Sequence, residues 1–154
     1  MNRDPLETEY VWPVRVHRVG DRHARVYARN HAFDVGQQAS VAPSDERPSA
    51  LEYLLGALGA DLVEGLSAQA RRRGVVIDGL EIALSGKLEN VLVHLGVVGE
   101  LGHPGVSEIT GTLYVSADAD EETVHALWRA ALERSPLHHT LSHCARISIR
   151  VRTA

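Results

Sequence analysis

The sequence predicts an α+β fold, in which short strands are followed by one long helix, further strands, a second helix and a final strand. Three observations predict it. Polar and apolar residues alternate with a period of two in the first third of the chain, as in half-buried strands. A leucine-rich stretch in the middle has helical spacing. Strand-like and helical stretches are grouped, which disfavours a run of βαβ units.

The length and charge limit the classes of function. The 154 residues predict a single domain over residues 1–154. The net charge of −4 disfavours binding that depends on neutralising phosphates. The sequence has no apolar stretch of the roughly 20 residues that a membrane span needs, and the N-terminus lacks the apolar core of a signal peptide. We therefore expect a cytoplasmic protein that binds neither nucleic acid nor membranes.

The first third is predicted to form three strands that run from Tyr10 to Arg18, from Ala24 to Arg29 and from His31 to Val35. Gly20 and its neighbour mark the first turn. A polar connection, residues 36–48, separates these strands from the helix.

The long helix is predicted to begin after Ser49, because Ser49 and Glu52 fit a capping box. It is predicted to end at Gly74, after three arginines that complement the helix dipole. The leucines that form its apolar stripe are Leu51, Leu54, Leu55, Leu58, Leu62 and Leu66.

Glycines interrupt this helix at positions 56, 59 and 65. Each costs about 1 kcal/mol of helix propensity relative to alanine. We expect the close approach of another helix, from a second subunit, to offset that cost.

The last 80 residues are predicted to hold strands and two helical segments. The strand candidates run from Val75 to Leu88, from Val91 to Val98, from Val106 to Val115 and over residues 146–152. An amphipathic helix opens at Asp118 and runs through Leu132, and a shorter segment runs from Pro136 to Leu141.

Cys144 is the single cysteine. An intrachain disulfide, a CxxC redox pair and a cysteine-based zinc cluster are therefore excluded. Any thiol chemistry would have to use one sulfur.

Three segments resemble the OsmC/Ohr family, which takes its name from osmotically inducible and organic hydroperoxide resistance proteins. They are PSALEYLLGALGA at 48–60, RRGVVIDGLE at 72–81 and LERSPL at 132–137, and the likeness extends over residues 31–152. The resemblance implies an α+β fold with antiparallel sheets around a long central helix, assembled as an intertwined homodimer. It identifies the chain as a divergent member of the family.

Most members with known activity reduce organic hydroperoxides with two cysteines, and the resemblance places Asp61 and Ser135 at those two positions. The peroxidase glutamate falls at Leu51. Glu52 is one residue away, a rotation of about 100° on a helix. The family's arginine is left open among four candidates, which are Arg18, Arg22, Arg25 and Arg29.

Peroxide reduction needs a thiolate that takes the oxygen and a second thiol that resolves the sulfenic acid. An aspartate and a serine do neither, so we expect no thiol peroxidase activity and no cofactor. The leading hypothesis is a pocket at the subunit interface that binds an apolar or amphipathic small molecule. Its candidate residues are Asp61, Glu64, Ser135 and His138.

Several alternatives stay open. Asp61 is either a general acid or base or one half of an ion pair, and Glu64 either pairs with it or is a solvated charge. Ser135 is either a turn opener or a nucleophile that uses His138 or His139. Cys144 is either a small apolar residue or the centre of a weak one-cysteine peroxidase. The cluster of His138, His139, His143 and Cys144 matches no standard zinc spacing, so no metal is expected.

Overall fold

The computed structural model describes residues 11–21, 23–36 and 47–153. The chain divides into two compact units, Met1–Ala50 and Leu51–Ala154. Each unit holds one three-stranded sheet. None of the helices within these described stretches is long and apolar enough to span a bilayer.

The first unit is an antiparallel meander of β1 (Arg15–Val19), β2 (His23–Ala28) and β3 (His31–Val35). Gly20 occupies the β1–β2 turn with φ +61°, a conformation that glycine adopts without strain. The strand β1 starts later than predicted, and Tyr10, where the prediction began, lies outside the described residues.

The second unit is organised around α1 (Ala50–Arg73). The helix begins directly after Ser49, as the capping-box sequence predicts. At its end Gly74 has φ +68°, the Val75 amide donates to the Ala70 carbonyl at 3.0 Å, and the Gly74 amide donates to the Arg71 carbonyl at 3.3 Å. This Schellman motif satisfies the last carbonyls and confirms the predicted end of the helix.

The second sheet has the order β4 (Ile77–Leu88), β5 (Val106–Ala117), β6 (Arg146–Thr153). β4 and β5 are antiparallel, whereas β5 and β6 are parallel. Two helices, α3 (Glu121–Arg134) and α4 (Pro136–Ser142), carry the chain back so that β6 starts at the same end as β5. The prediction of antiparallel sheets is therefore correct for every described strand pair except this one.

The prediction of a strand from Val91 to Val98 is wrong. The structure has a short helix α2 (Val91–His94) there, followed by a loop. Asn90 caps this helix, because its side-chain oxygen accepts from the Leu92 amide at 3.0 Å and from the Val93 amide at 3.2 Å. A short apolar run fits both a strand and a helix, and the Asn90 cap favours the helix here.

The core of the second unit lies between the helices α1 and α3 and one face of the β4–β5–β6 sheet. The predicted leucine stripe is confirmed at Leu58, Leu62 and Leu66, which are fully buried. The other large side chains that are fully buried there are Ile109, Leu113, Val124 and Leu127.

The α1 glycines accommodate partners within the same chain. A Cβ on Gly65 would lie 3.6 Å from Ala131 Cβ of α3, and a Cβ on Gly59 would lie 3.2 Å from Ile82 Cγ2 of β4. At these two positions the element that approaches α1 therefore belongs to the same chain, not to a second subunit. At Gly59 this element is a strand and not the predicted helix. Nothing lies within 4 Å of a Cβ built on Gly56.

Candidate functional site

The side chains of Asp61 and Ser135 meet although 74 positions separate them in the sequence. Asp61 lies in the middle of α1, and Ser135 joins α3 to α4. The Ser135 hydroxyl donates to Asp61 Oδ2, and the Leu137 amide donates to the same oxygen at 3.4 Å. Ser135 is buried, and Asp61 is partly buried. The carboxylate thus fastens α1 to the first turn of α4.

Ser135 ends one helix and starts the next. Its φ of −81° and ψ of 113° are non-helical, and Pro136 occupies the first position of α4, where its missing amide hydrogen costs nothing. The Ser135 hydroxyl accepts from the His138 amide at 2.9 Å while it donates to Asp61. The contact with His138 is therefore to the backbone. Ser135 is therefore the N-cap of α4, and no imidazole is among the hydrogen-bond partners of its hydroxyl within the described residues.

Asp61 forms no ion pair with another described residue of the same chain, so the ion-pair alternative stays untested for a second subunit. Among the described residues, its hydrogen-bond partners are the Ser135 hydroxyl and the Leu137 amide, and neither is charged. An acid or base role would require an imidazole within reach, directly or through one water. No imidazole is among these partners, so the geometry favours a structural carboxylate.

Glu64 lies apart from this contact. It is exposed on α1, as expected for a solvated surface charge. Of the four residues predicted to form a pocket, the structure joins Asp61, Ser135 and the backbone of His138 and leaves Glu64 outside.

The imidazole of His138 lies next to the Asp61–Ser135 contact in sequence. Its Nδ1 atom is buried and has no hydrogen-bond partner within the described stretches. Burial lowers the pKa of His138 below its ordinary value, and the neighbouring His139 lowers this pKa further. The folded protein therefore favours the neutral imidazole.

This lowered pKa predicts a pH dependence of stability. Between the folded pKa of His138 and its unfolded value of about 6.5, the unfolded chain binds more protons. The contribution of His138 to the free energy of unfolding should thus be fully present above that value and should fall as the pH drops below it. His138→Gln should reduce the loss seen in urea titrations between neutral pH and pH 5. The exposed His103→Gln, in the loop before β5, serves as the control, and an equal reduction in this variant would contradict the prediction.

Cys144 lies in the turn before β6 and is exposed. Its thiol donates to the Leu141 carbonyl at 3.3 Å. The partner is a neutral backbone carbonyl, whereas a reactive cysteine needs a neighbouring group that stabilises its thiolate. Nothing in this contact favours the one-cysteine alternative.

The C-terminal histidines make backbone contacts. His139 Nε2 lies 2.9 Å from the Glu133 carbonyl oxygen, and His143 Nδ1 lies 2.5 Å from the His139 carbonyl oxygen. Within the described ranges, no three His, Cys, Asp or Glu side chains are grouped so that they could hold a metal ion.

The candidates for the family's arginine lie in the first unit, where Arg25 forms a two-pronged ion pair with Asp34 at 2.7 and 3.0 Å. Arg25 holds the pKa of Asp34 below its usual value. Arg18 pairs with Asp21 at 2.7 Å, Arg29 has φ +54° in the β2–β3 turn, and Arg22 lies outside the described residues. The assignment therefore stays open.

An apolar groove between α1 and β4 was not predicted from the sequence. We call it the α1–β4 groove; its volume is about 420 Å³, and its lining includes Leu55, Gly56, Gly59, Ala60 and Val63 of α1 and Ile82 and Leu84 of β4. Small residues on α1 leave the space that larger side chains would fill. Gly56, Gly59 and Ala60, spaced i, i+3 and i+4, indicate a face of small residues on the helix, but the sequence does not show which element lies opposite this face.

Comparison with known proteins supports the fold. The sequence profile described as OsmC-like protein matches residues 43–150. None of the curated proteins is similar enough in sequence to match the chain.

Solved structures resemble the chain over almost its whole length. An OsmC-like protein from Mycoplasma pneumoniae has a TM-score of 0.81 at 15% identity, with 96% of this chain and 99% of that chain covered. The organic hydroperoxide resistance protein OhrB of Bacillus subtilis has a TM-score of 0.63 at 17% identity, with coverages of 94% and 100%. An OsmC-like protein of unknown function from Vibrio cholerae has a TM-score of 0.76 at 9% identity, with coverages of 94% and 100%.

The two three-stranded sheets and the long helix define an α+β protein of the OsmC type. The chain belongs to the OsmC-like family. The sequence resemblance is therefore confirmed at the level of family and fold.

Proposed function

We propose that this chain is an OsmC-family protein that does not use thiol chemistry and that binds an apolar or amphipathic small molecule. The observation that carries the first half is the hydrogen bond from Ser135 to Asp61. Two positions that carry a reacting pair of cysteines in relatives must lie in contact, and positions 61 and 135 do so here. In this chain the contact is a hydrogen bond between a hydroxyl and a carboxylate.

The chemistry follows from the two functional groups. Neither a carboxylate nor an alcohol takes an oxygen atom from a hydroperoxide at neutral pH, and neither resolves a sulfenic acid. The single thiol, that of Cys144, lies exposed in a different turn and donates to a carbonyl. The proposed role of Asp61 and Ser135 is to keep α1 and α4 in place.

The second half of the proposal rests on the α1–β4 groove. Aliphatic side chains line two of its sides, and the helix backbone is accessible at Gly56, which is exposed. Apolar concave surfaces of this size are the usual binding places for small ligands. The groove replaces the predicted pocket around Asp61 as the proposed ligand site.

A second copy of the chain is proposed to complete the site. Gly56, Ala57 and Ala60 are exposed on α1 and allow close approach of another backbone. The proposed assembly is a homodimer with twice the 16.8 kDa mass of the chain. Light scattering on the purified protein measures this directly.

Ala60→Trp should weaken ligand binding strongly, because an indole at this exposed position would fill the groove. The measurement is titration with a fluorescent fatty acid, and we expect at least about a tenfold loss of affinity, the equivalent of 1.4 kcal/mol. Arg129→Trp adds the same side chain at an exposed position of α3 and should bind as the wild type does. Equal affinities of wild type and Ala60→Trp, at unchanged mass, would rule out the groove as the site.

A further inference from the structure

The outer face of the β4–β5–β6 sheet carries a polar depression. The inward positions of β5 are apolar, and the outward positions hold hydroxyl and charged side chains. A cavity of about 470 Å³ lies on this outer face. We call it the outer trough, and its polar lining residues are Ser85, Thr110, Thr112, Ser148 and Arg150.

The strand register explains why a depression forms. Ser85 pairs with Thr110, and Thr110 pairs with Ser148, so one row across the sheet has three short side chains. The next row places Ala83, Thr112 and Arg150 side by side.

Longer side chains stand on both sides of these two rows. Lys87, Glu108 and Arg146 form the row at one end, and Glu81, Tyr114 and Arg152 form the row at the other. The trough therefore forms because two outward-facing rows of mostly short side chains lie between two rows of long side chains.

The polar groups of the trough have no partners within the described part of the protein. Arg146, at the wall, pairs with Glu108 at 3.2 Å. Arg150 forms no ion pair with a described residue, and the hydroxyls of Ser85, Thr110, Thr112 and Ser148 form no hydrogen bonds with one. One guanidinium and four hydroxyl groups thus line the same concave surface, and no other described residue binds them.

We propose that the outer trough binds a small polyol phosphate. A guanidinium matches the geometry of phosphate oxygens, and serine and threonine hydroxyls both donate to phosphate and bind the hydroxyls of a polyol. This site lies on the opposite face of the sheet from the α1–β4 groove and does not depend on the function proposed for that groove.

The test is a titration of the full-length protein at constant ionic strength, followed by amide NMR shifts. The probes are glycerol 3-phosphate, inorganic phosphate and glycerol. We expect saturable shifts centred on residues 110–112 and 148–150 with glycerol 3-phosphate, weaker binding of inorganic phosphate and no saturation with glycerol.

Two arginine variants separate a site from general charge attraction. Arg150→Gln should weaken glycerol 3-phosphate binding by about tenfold or more. Arg146→Gln removes the same charge from the neighbouring, paired arginine and should change the affinity by less than about twofold. Thr112→Val keeps the shape of the side chain and should also weaken binding. Equal effects of the two arginine variants, or no saturable shifts at millimolar glycerol 3-phosphate, would overturn the proposal.

Discussion

Asp61→Ala is expected to lower the free energy of unfolding by about 2–3 kcal/mol, because it removes the acceptor of a buried hydroxyl and of a helix-terminal amide. The Ser135 hydroxyl donates to Asp61 Oδ2, and the Leu137 amide lies 3.4 Å from the same atom. The buried hydroxyl has little access to water as a replacement acceptor. Urea titration followed by circular dichroism measures the effect.

Three further variants make this prediction specific. Asp61→Asn keeps a side-chain carbonyl as an acceptor and should lose less than half as much stability. The double variant Asp61→Ala/Ser135→Ala should lose less than the sum of the single losses, with a coupling of roughly 1–2 kcal/mol. Glu64→Ala, at an exposed position of the same helix, should change stability by less than about 0.5 kcal/mol. Additive losses in the double variant would contradict a direct bond between the two side chains.

Gly111→Ala is expected to destabilise the second unit by about 2 kcal/mol or more, because overpacking at this site meets backbone. A Cβ on Gly111 would clash with the carbonyl oxygen of Ala83 and would lie 2.6 Å from Leu84 Cδ2. The Leu84 side chain can change rotamer, but the carbonyl belongs to the paired strand β4. The strands would have to move apart at the centre of the sheet.

Gly79→Ala is the matched control for Gly111→Ala. A Cβ on Gly79 would lie 3.7 Å from Ser116 Cβ, which is an ordinary van der Waals distance. This variant should therefore lose less than about 1 kcal/mol. Similar melting temperatures for the two variants would show that β4 and β5 are not as close at Gly111 as the structure has them.

Local sequence signals predicted those parts of the fold that local interactions decide. The α1 helix begins and ends where its capping box and Gly74 predict, since caps act within a few residues. The segment from Val91 forms a helix and not the predicted strand, because its apolar run fits both elements and the Asn90 side chain caps a helix there. The parallel pairing of β6 depends on the crossover through α3 and α4, which no local pattern encodes.

The sequence predicts only part of the candidate site. The resemblance to the family selected Asp61 and Ser135, but their hydrogen bond depends on how α4 sits against α1. The α1–β4 groove depends on which strand faces Gly59, and the outer trough depends on the register of three strands. Helical and strand periodicity place a residue on a face of its element, whereas tertiary packing decides what lies opposite.

The rate of cumene hydroperoxide loss in the presence of dithiothreitol tests most directly whether this protein lacks thiol peroxidase activity. An active thiol peroxidase assayed alongside verifies the reagents. The bond between Asp61 and Ser135 and the exposed position of Cys144 predict a rate equal to that without protein, and no change in Cys144→Ser. Rapid hydroperoxide consumption that Cys144→Ser abolishes would contradict the proposal.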